Sequence, residues 1–489
     1  MLLVALLGAV ASLLTGCGKE GYLTDSGAML RFSTDTLAFD TVFTQMGTTV
    51  QVVKAYNPYD EPLLIEVVAM KGGSASRFRL NVDGDSSRVV RRVEVAAKDS
   101  MFIFVRANIN PNDQTAPFLV EDAIVFSFNG KTQELPVTAY GRNAVYHVPN
   151  RRLFLSVDAA TGDSLFLPYS VIDPSRWDHA LPHVVFGYAV VDEGSTLTLE
   201  AGETLYMADG AYLWVYEGGT LRLQGTLEQP VTITGMRRDW LYANLPSQWG
   251  YVWLSGGSKD NVIDCAVIEN GYAGLRVDTC VNANPTLTIT NTIIRNHAFA
   301  GIVGQGARIE GDNLLVVNCG SVTLLLQAGG HYDFTSCTFA DYWAYGGTNR
   351  RKTPSLILAN FHEAAGVRYP RPLHASFANC IVWGNHTEDG QGEELMLNRD
   401  EGATWEVDFD HCLLRTQQFA ADAFPGKALI LNEDPLFVNT GDSADYHLRA
   451  TSPALGAGSP SLLRSAVTLD GKPRALPPAM GCYEQGGGE

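Results

Sequence analysis

Apolar and polar positions alternate in short bursts along most of this chain. From Asn261 the pattern runs N-V-I-D-C-A-V-I-E-N, breaks at a turn-rich gap, and returns as L-T-I-T-N-T-I-I-R-N. Ile263, Cys265, Val267 and Asn270 thus recur as Ile289, Asn291, Ile293 and Asn296, an offset of 26 residues. The phrase comes back near Asn313, Cys337, Cys380 and Cys412, and the anchors at 265, 291, 313 and 337 are 26, 22 and 24 residues apart. Period-two alternation rich in β-branched side chains predicts strands, not helices. Repeated at this length, such a unit marks a solenoid, because each unit is too short to bury its apolar face alone. The expectation is an all-β chain built around a right-handed parallel β-helix.

The same reading divides the rest of the chain. Residues 31–142 carry about seven short apolar runs punctuated by Asn-Pro, Gly-Gly and Asp-Gly, which predicts a separate antiparallel β-sandwich. Residues 143–183 contain Asp173-Pro174 and Leu181-Pro182 and read as a connector that caps the first coil. The solenoid is expected over 184–431, with 432–489 as a terminal coil and cap. One coil is abnormal. Forty-three residues separate Cys337 from Cys380, so a loop of about twenty residues should project from it.

Charge narrows the function classes. Fifty-three acidic against 35 basic residues give a net charge of −18. That balance argues against nucleic acid as a partner, since such binding needs phosphates neutralised by Lys and Arg. The N-terminus adds an address. Met1–Ser12 is almost wholly apolar and too short to span a membrane, as in a signal peptide. Leu14-Thr15-Gly16-Cys17 resembles the bacterial lipobox, which implies removal of residues 1–16 and lipidation of Cys17, with 17–30 as a tether. More than one acyl chain would anchor the protein stably. An outer-membrane lipoprotein exposed at the cell surface is expected, touching the membrane through its anchor alone.

Three stretches resemble known modules. Phe39-Asp40-Thr41-Val42-Phe43, Tyr56-Asn57-Pro58 and Lys98-Asp99-Ser100 follow the order of Hydin-type immunoglobulin-like modules of exported bacterial proteins, which implies a spacer or docking unit. From Val184 to Glu484, strands such as Ser195–Gly202, Gly219–Leu223 and Pro230–Ile233, then Gln248-Trp249-Gly250, resemble coils of the pectate-lyase-like β-helix superfamily. The closing order Asp434-Pro435-Leu436-Phe437, Asp445-Tyr446-His447-Leu448, Ser452-Pro453-Ala454 and Tyr483-Glu484 resembles the terminal segment of many such proteins. The whole chain is similar to β-helix lipoproteins of the Bacteroidetes type.

Candidate chemistry is sparse. The superfamily contains polysaccharide lyases and polygalacturonases, whose work needs paired carboxylates or a calcium-binding acidic cluster. Asp264, Glu269, Arg276 and Asp278 fall within one coil and are the best acid–base candidates. Asp312, Asp333, Asp341, His297 and His331 are weaker. No Cys or His spacing suits a metal, and no cofactor motif appears. Cys265, Cys337, Cys380 and Cys412 are read as equivalent rung positions inside the coil, not as a disulfide framework. The long loop carries Tyr342, Trp343, Tyr345, Arg350, Arg351 and Arg368, aromatic faces beside cations that could hold an anionic glycan. Trp240 and Tyr242 form a second contact group, whereas Trp249 and Trp253 are read as core. The functional expectation is a non-catalytic surface protein that binds a polysaccharide or an outer-membrane protein partner. A lyase or glycoside hydrolase with an atypical site is the alternative.

Overall fold

The computed structural model describes residues 21–48, 50–159, 161–238, 242–280, 284–343, 351–386, 392–424, 427–441 and 443–486. The chain forms two compact units, divided between Ala144 and Val145.

Among the described residues, the first unit packs a four-stranded sheet against a five-stranded one. In the smaller sheet, Ser100–Ala107 shows why: Met101, Ile103, Val105 and Ala107 are buried while the residues between them face outward. Ile65, Phe126 and Val137 of the larger sheet meet them in one core. Antiparallel pairing dominates, as the turn spacing predicts, but Leu37–Phe43 joins the larger sheet parallel to Lys131–Arg142. The expected tether is partly structural, since Ala28 and Leu30 lie in this core. Asn57 of the Asn-Pro turn holds the unit's edge by donating to the carbonyls of Glu61, Val95 and Ala96.

The second unit is the solenoid. Three sheets of eleven, ten and eight strands, counted among the described residues, run the length of it, parallel throughout except where an antiparallel hairpin opens the ten-stranded one. Each coil contributes one strand to each sheet in turn: Asn261–Asp264 to the eight-stranded, Ala266–Glu269 to the eleven-stranded, Ala273–Asp278 to the ten-stranded. In-register pairing stacks like on like, so Leu213, Val252, Leu275, Ile302 and Leu324 form one buried column. Each such side chain contributes about 1.5–3 kcal/mol on leaving water. At the far end, the rings of Phe334, Phe377 and Phe409 stack at 5.6 and 5.1 Å. Phe419 and Phe424 then close over Phe409.

Sharp bends between sheets explain the recurring asparagines. Asn291, Asn313 and Asn379 have φ of 48–58°, as do Cys265 and Ser336 at the matched positions. Asn tolerates this left-handed region better than most residues. Its amide also bridges coils: Asn313 Nδ2 donates to Asn291 Oδ1 (2.8 Å), and Asn291 Nδ2 donates to Asp264 Oδ1 (2.8 Å). The register corrects one cysteine. Cys337, Cys380 and Cys412 stack inside the coil, but Cys265 sits one residue earlier, in the turn position that Asn291 fills on the next coil. These four, with Cys319 and Cys482, carry free thiols.

The solenoid's limits also differ from expectation. It begins before Val184, because Val145–His147 already pairs in parallel with His183–Val185. Arg151–Val157 and Ser164–Val171 form a hairpin that extends the ten-stranded sheet beyond the first coil. The closing segment does not merely cap the end. It runs back along the outside of the eleven-stranded sheet, where Phe437, Tyr446 and Leu448 cover Val317, Ile381 and Leu413. Turn asparagines hold it there: Asn379 exchanges two hydrogen bonds with the Ser459 backbone, and Asn318 accepts from Tyr446 Oη.

Candidate functional site

The coil separates the four acid–base candidates onto three faces. Asp264 ends a strand of the eight-stranded sheet, Glu269 of the eleven-stranded, and Arg276 and Asp278 share one of the ten-stranded. Each is occupied structurally. Asp264 accepts from Thr290 and Asn291 of the next coil. Glu269 is buried; burial alone would raise its carboxyl, but Arg295 and Arg238 outweigh that and hold it below the usual range. An ionised carboxylate already saturated by two guanidinium groups is a poor proton donor. Asp278 accepts from Trp253 Nε1 at one carboxylate oxygen (2.7 Å) and from Arg276 Nε at the other (2.9 Å). Fifteen residues of sequence therefore read as one cluster, yet no two of these carboxylates converge.

The abnormal coil likewise does not carry one unbroken loop. A regular strand, Leu356–Ala359, interrupts it. After that strand comes a hairpin of Phe361–Ala364 and Val367–Pro370. Arg368 belongs to the exposed hairpin, over the Phe361 ring and 3.6 Å from Glu363. Arg351 is the largest correction. Expected on the outer loop, it is buried between Asp341 and Glu394 and cannot touch a ligand outside the coil. Tyr242 lies half-buried under the Arg237 guanidinium (3.1 Å to the ring centre). Cys17, Trp240, Tyr345 and Arg350 lie outside the described residues.

Tyr342 is the candidate that finds partners. It lines a pocket of about 460 Å³ at the corner where the eleven-stranded sheet gives way to the ten-stranded. Successive rungs build the pocket. The first gives Tyr342, the next Trp383 and Asn385, the third Arg415 and Gln417, and the last Asn432 and Asp434. Parallel register places them side by side, since Ala340 pairs with Trp383 and Leu414 with Leu431. Trp383 is 7% exposed, and Arg415 lies with its guanidinium 5.4 Å from the Trp383 ring centre, donating to the Gly384 carbonyl. Gly392 makes room for it: a Cβ there would sit 2.0 Å from Arg415 Nη2. Phe437 and Tyr446 wedge the Tyr342 ring, and burial pushes its phenol up, so it stays a neutral hydroxyl. Sequence reading missed Trp383 and Arg415, although each follows a rung anchor, in I-V-W-G-N and H-C-L-L-R.

A second aromatic surface lies on the outer face of the ten-stranded sheet. Trp249 is core, as expected, but Trp253 faces outward. It stacks on Trp214 (4.9 Å, 11°), with Arg276 on the far side, and Tyr188 stacks on Tyr212 (4.4 Å). These rings spend their faces on one another, leaving edges to solvent. That makes them a weaker sugar platform than an open ring.

Among the described residues, no group of His, Cys, Asp or Glu has metal-binding geometry. The buried His297 has two backbone partners, accepting from Gly271 N–H and pairing with the Ile268 carbonyl.

No family model matches the chain, and no curated protein matches its sequence. Solved structures give faint likenesses. A family 123 glycoside hydrolase from Clostridium perfringens shares 6% identity over 23% of this chain and 25% of its own, with a TM-score of 0.18. The chain thus spans a quarter of that enzyme. WR4, a C. elegans MSP family member, shares 13% over 23% of this chain and 98% of its own (TM-score 0.16). The catalytic domain of a GH87 alpha-1,3-glucanase shares 10% over 73% and 92% (TM-score 0.16). Scores this low carry no argument, and the β-helix stands on its own strand register.

Proposed function

We propose that this protein is a non-catalytic carbohydrate-binding protein of the bacterial cell surface. The observation that carries the reading is the pocket at Tyr342, Trp383 and Arg415. The half-buried Tyr342 ring supplies apolar area for the C–H face of a sugar ring, and the largely buried Trp383 ring backs the Arg415 guanidinium. Arg415, Asn385, Gln417 and Asp434 supply planar donors and acceptors for its hydroxyls, the mixture that fixes orientation in small-ligand sites. Rigid strand ends hold these groups, which lowers the ordering cost of binding. The dispersal of the four acid–base candidates favours binding over cleavage. In this reading Cys17 carries the lipid anchor in the outer membrane and the N-terminal sandwich is an immunoglobulin-like spacer. The lineage would be Bacteroidetes-like.

A glycan array with the soluble chain from Gly18 onward tests the proposal, with mass spectrometry on every hit. Binding that falls at least tenfold in Arg415→Ala, without shortened or unsaturated products, supports it. Cleavage products would overturn the non-catalytic reading and restore the lyase or hydrolase alternative. Silence on the array, with an outer-membrane protein recovered alongside the chain, would replace the glycan with a protein partner.

A further inference from the structure

The hairpin of Arg151–Val157 and Ser164–Val171 is chemically out of place on a protein surface. Leu153, Phe154, Leu155, Leu165 and Phe166 are each 41–55% exposed, and they populate both faces of the ribbon. A two-stranded ribbon is marginal in water on its own, and an exposed apolar surface of this kind marks a contact site. Among the described residues, Arg151–Val157 is also an outer edge of the ten-stranded sheet, paired on one side only, by Ser164–Val171.

The distribution of charge says what covers it. Both basic residues, Arg151 and Arg152, stand at the base of the hairpin, and the acids Asp158 and Asp163 stand at its tip. Between them the shaft carries no charge. Two identical hairpins laid side by side in opposite directions set base against tip. Apolar shaft then meets apolar shaft, and each arginine pair faces an aspartate pair. Laid in the same direction, they would set Arg on Arg and Asp on Asp. We infer that this hairpin docks against the same hairpin of a second copy of the chain, in a two-fold antiparallel arrangement. Such an interface is isologous, the commonest kind in homodimers. A stable contact needs about 800 Å² per partner. The hairpin's outer face can extend the contact, because Tyr169 pairs in register with Tyr188 and leads onto the aromatic ladder. A polar, acidic tip argues against insertion into a lipid surface.

Sedimentation of the full chain in mild detergent tests the inference. A dimer is expected at micromolar concentration. Phe154→Lys should shift it to monomer, with circular dichroism confirming that the coil is intact. The decisive comparison is charge exchange. Arg151→Asp with Arg152→Asp should weaken the dimer at least tenfold, as should Asp158→Arg with Asp163→Arg. All four together should restore it. A monomer at every concentration would overturn the inference, and so would a dimer insensitive to these changes or a four-fold variant that fails to recover. Saccharide binding by the monomeric variants separates this result from the pocket's, since the two sites share no residue.

Discussion

Arg351 Nη2 lies 2.6 Å from Glu394 Oε1, and neither side chain reaches solvent. The same guanidinium has Nε 3.3 Å from Asp341 Oδ2, but burial raises the Asp341 carboxyl to about 7, so one buried cation is shared between the Glu394 carboxylate and an Asp341 that is partly protonated near neutrality. Glu394 extends the network to Ser355 and the His386 backbone. Removing one member of such a group leaves charge stranded in a medium that cannot solvate it, at about 3–5 kcal/mol. Arg351→Met should therefore lower the unfolding free energy of the solenoid, read from urea titration, by a matching amount. Glycan affinity per folded molecule should change little, because Arg351 does not line the pocket. A variant as stable as the parent would show that the corner tolerates an unpaired carboxylate.

His297 should make the solenoid sensitive to acid. It is fully buried, and burial pushes it down to about 4 from the ordinary 6.5. Its ring nitrogens are already committed, one accepting from Gly271 N–H and the other facing the Ile268 carbonyl. A depressed histidine leaves the folded state neutral while the unfolded chain takes up a proton. Its contribution is thus fully present above pH 6.5 and is lost as pH falls toward 4. The loss amounts to about 3 kcal/mol over that window. Urea titrations at pH 7 and pH 5 should show a steeper acid loss in the parent than in His297→Gln. Equal slopes would place the acid sensitivity elsewhere.

Asn313 allows backbone and side-chain effects to be separated. Its φ is 58°, its amide donates to Asn291, and its oxygen accepts from Arg474 Nη2 at 2.9 Å. Asn313→Gly keeps the backbone relaxed and loses only the ladder, about 1–3 kcal/mol for groups left unsatisfied. Asn313→Ala adds left-handed strain of roughly 1–2 kcal/mol. Thermal denaturation should rank the parent above the glycine variant and the glycine variant above the alanine one.

Gly392 offers a gentle way to disturb the pocket. A methyl group there would meet the Arg415 guanidinium at 2.0 Å, and its φ of 75° already disfavours a side chain. Gly392→Ala should displace Arg415 and weaken saccharide binding at least fivefold by calorimetry, with a smaller loss in melting temperature. An unchanged affinity would mean that Arg415 does not contact the ligand.

Much of this protein was legible in the sequence because its fold is periodic. Alternating apolar residues, Gly and Asn at the bends, and a repeat of 22–26 residues specify stacked strands through local physics alone, and the ladder of Asn291 and Asn313 follows from the same pattern. What sequence could not decide is direction around the coil. Asp264, Glu269 and Asp278 are neighbours in the chain, but bends of one residue and of three send each to a different face. Conversely, Tyr342, Trp383, Arg415 and Asn432 lie up to ninety residues apart and meet because parallel register stacks their rungs. Arg351 shows the other limit. Its charge suggested solvent, and only the approach of Asp341 and Glu394 from separate rungs made its burial possible. Period and turn chemistry are written locally, whereas convergence of side chains depends on which rungs the tertiary fold brings side by side.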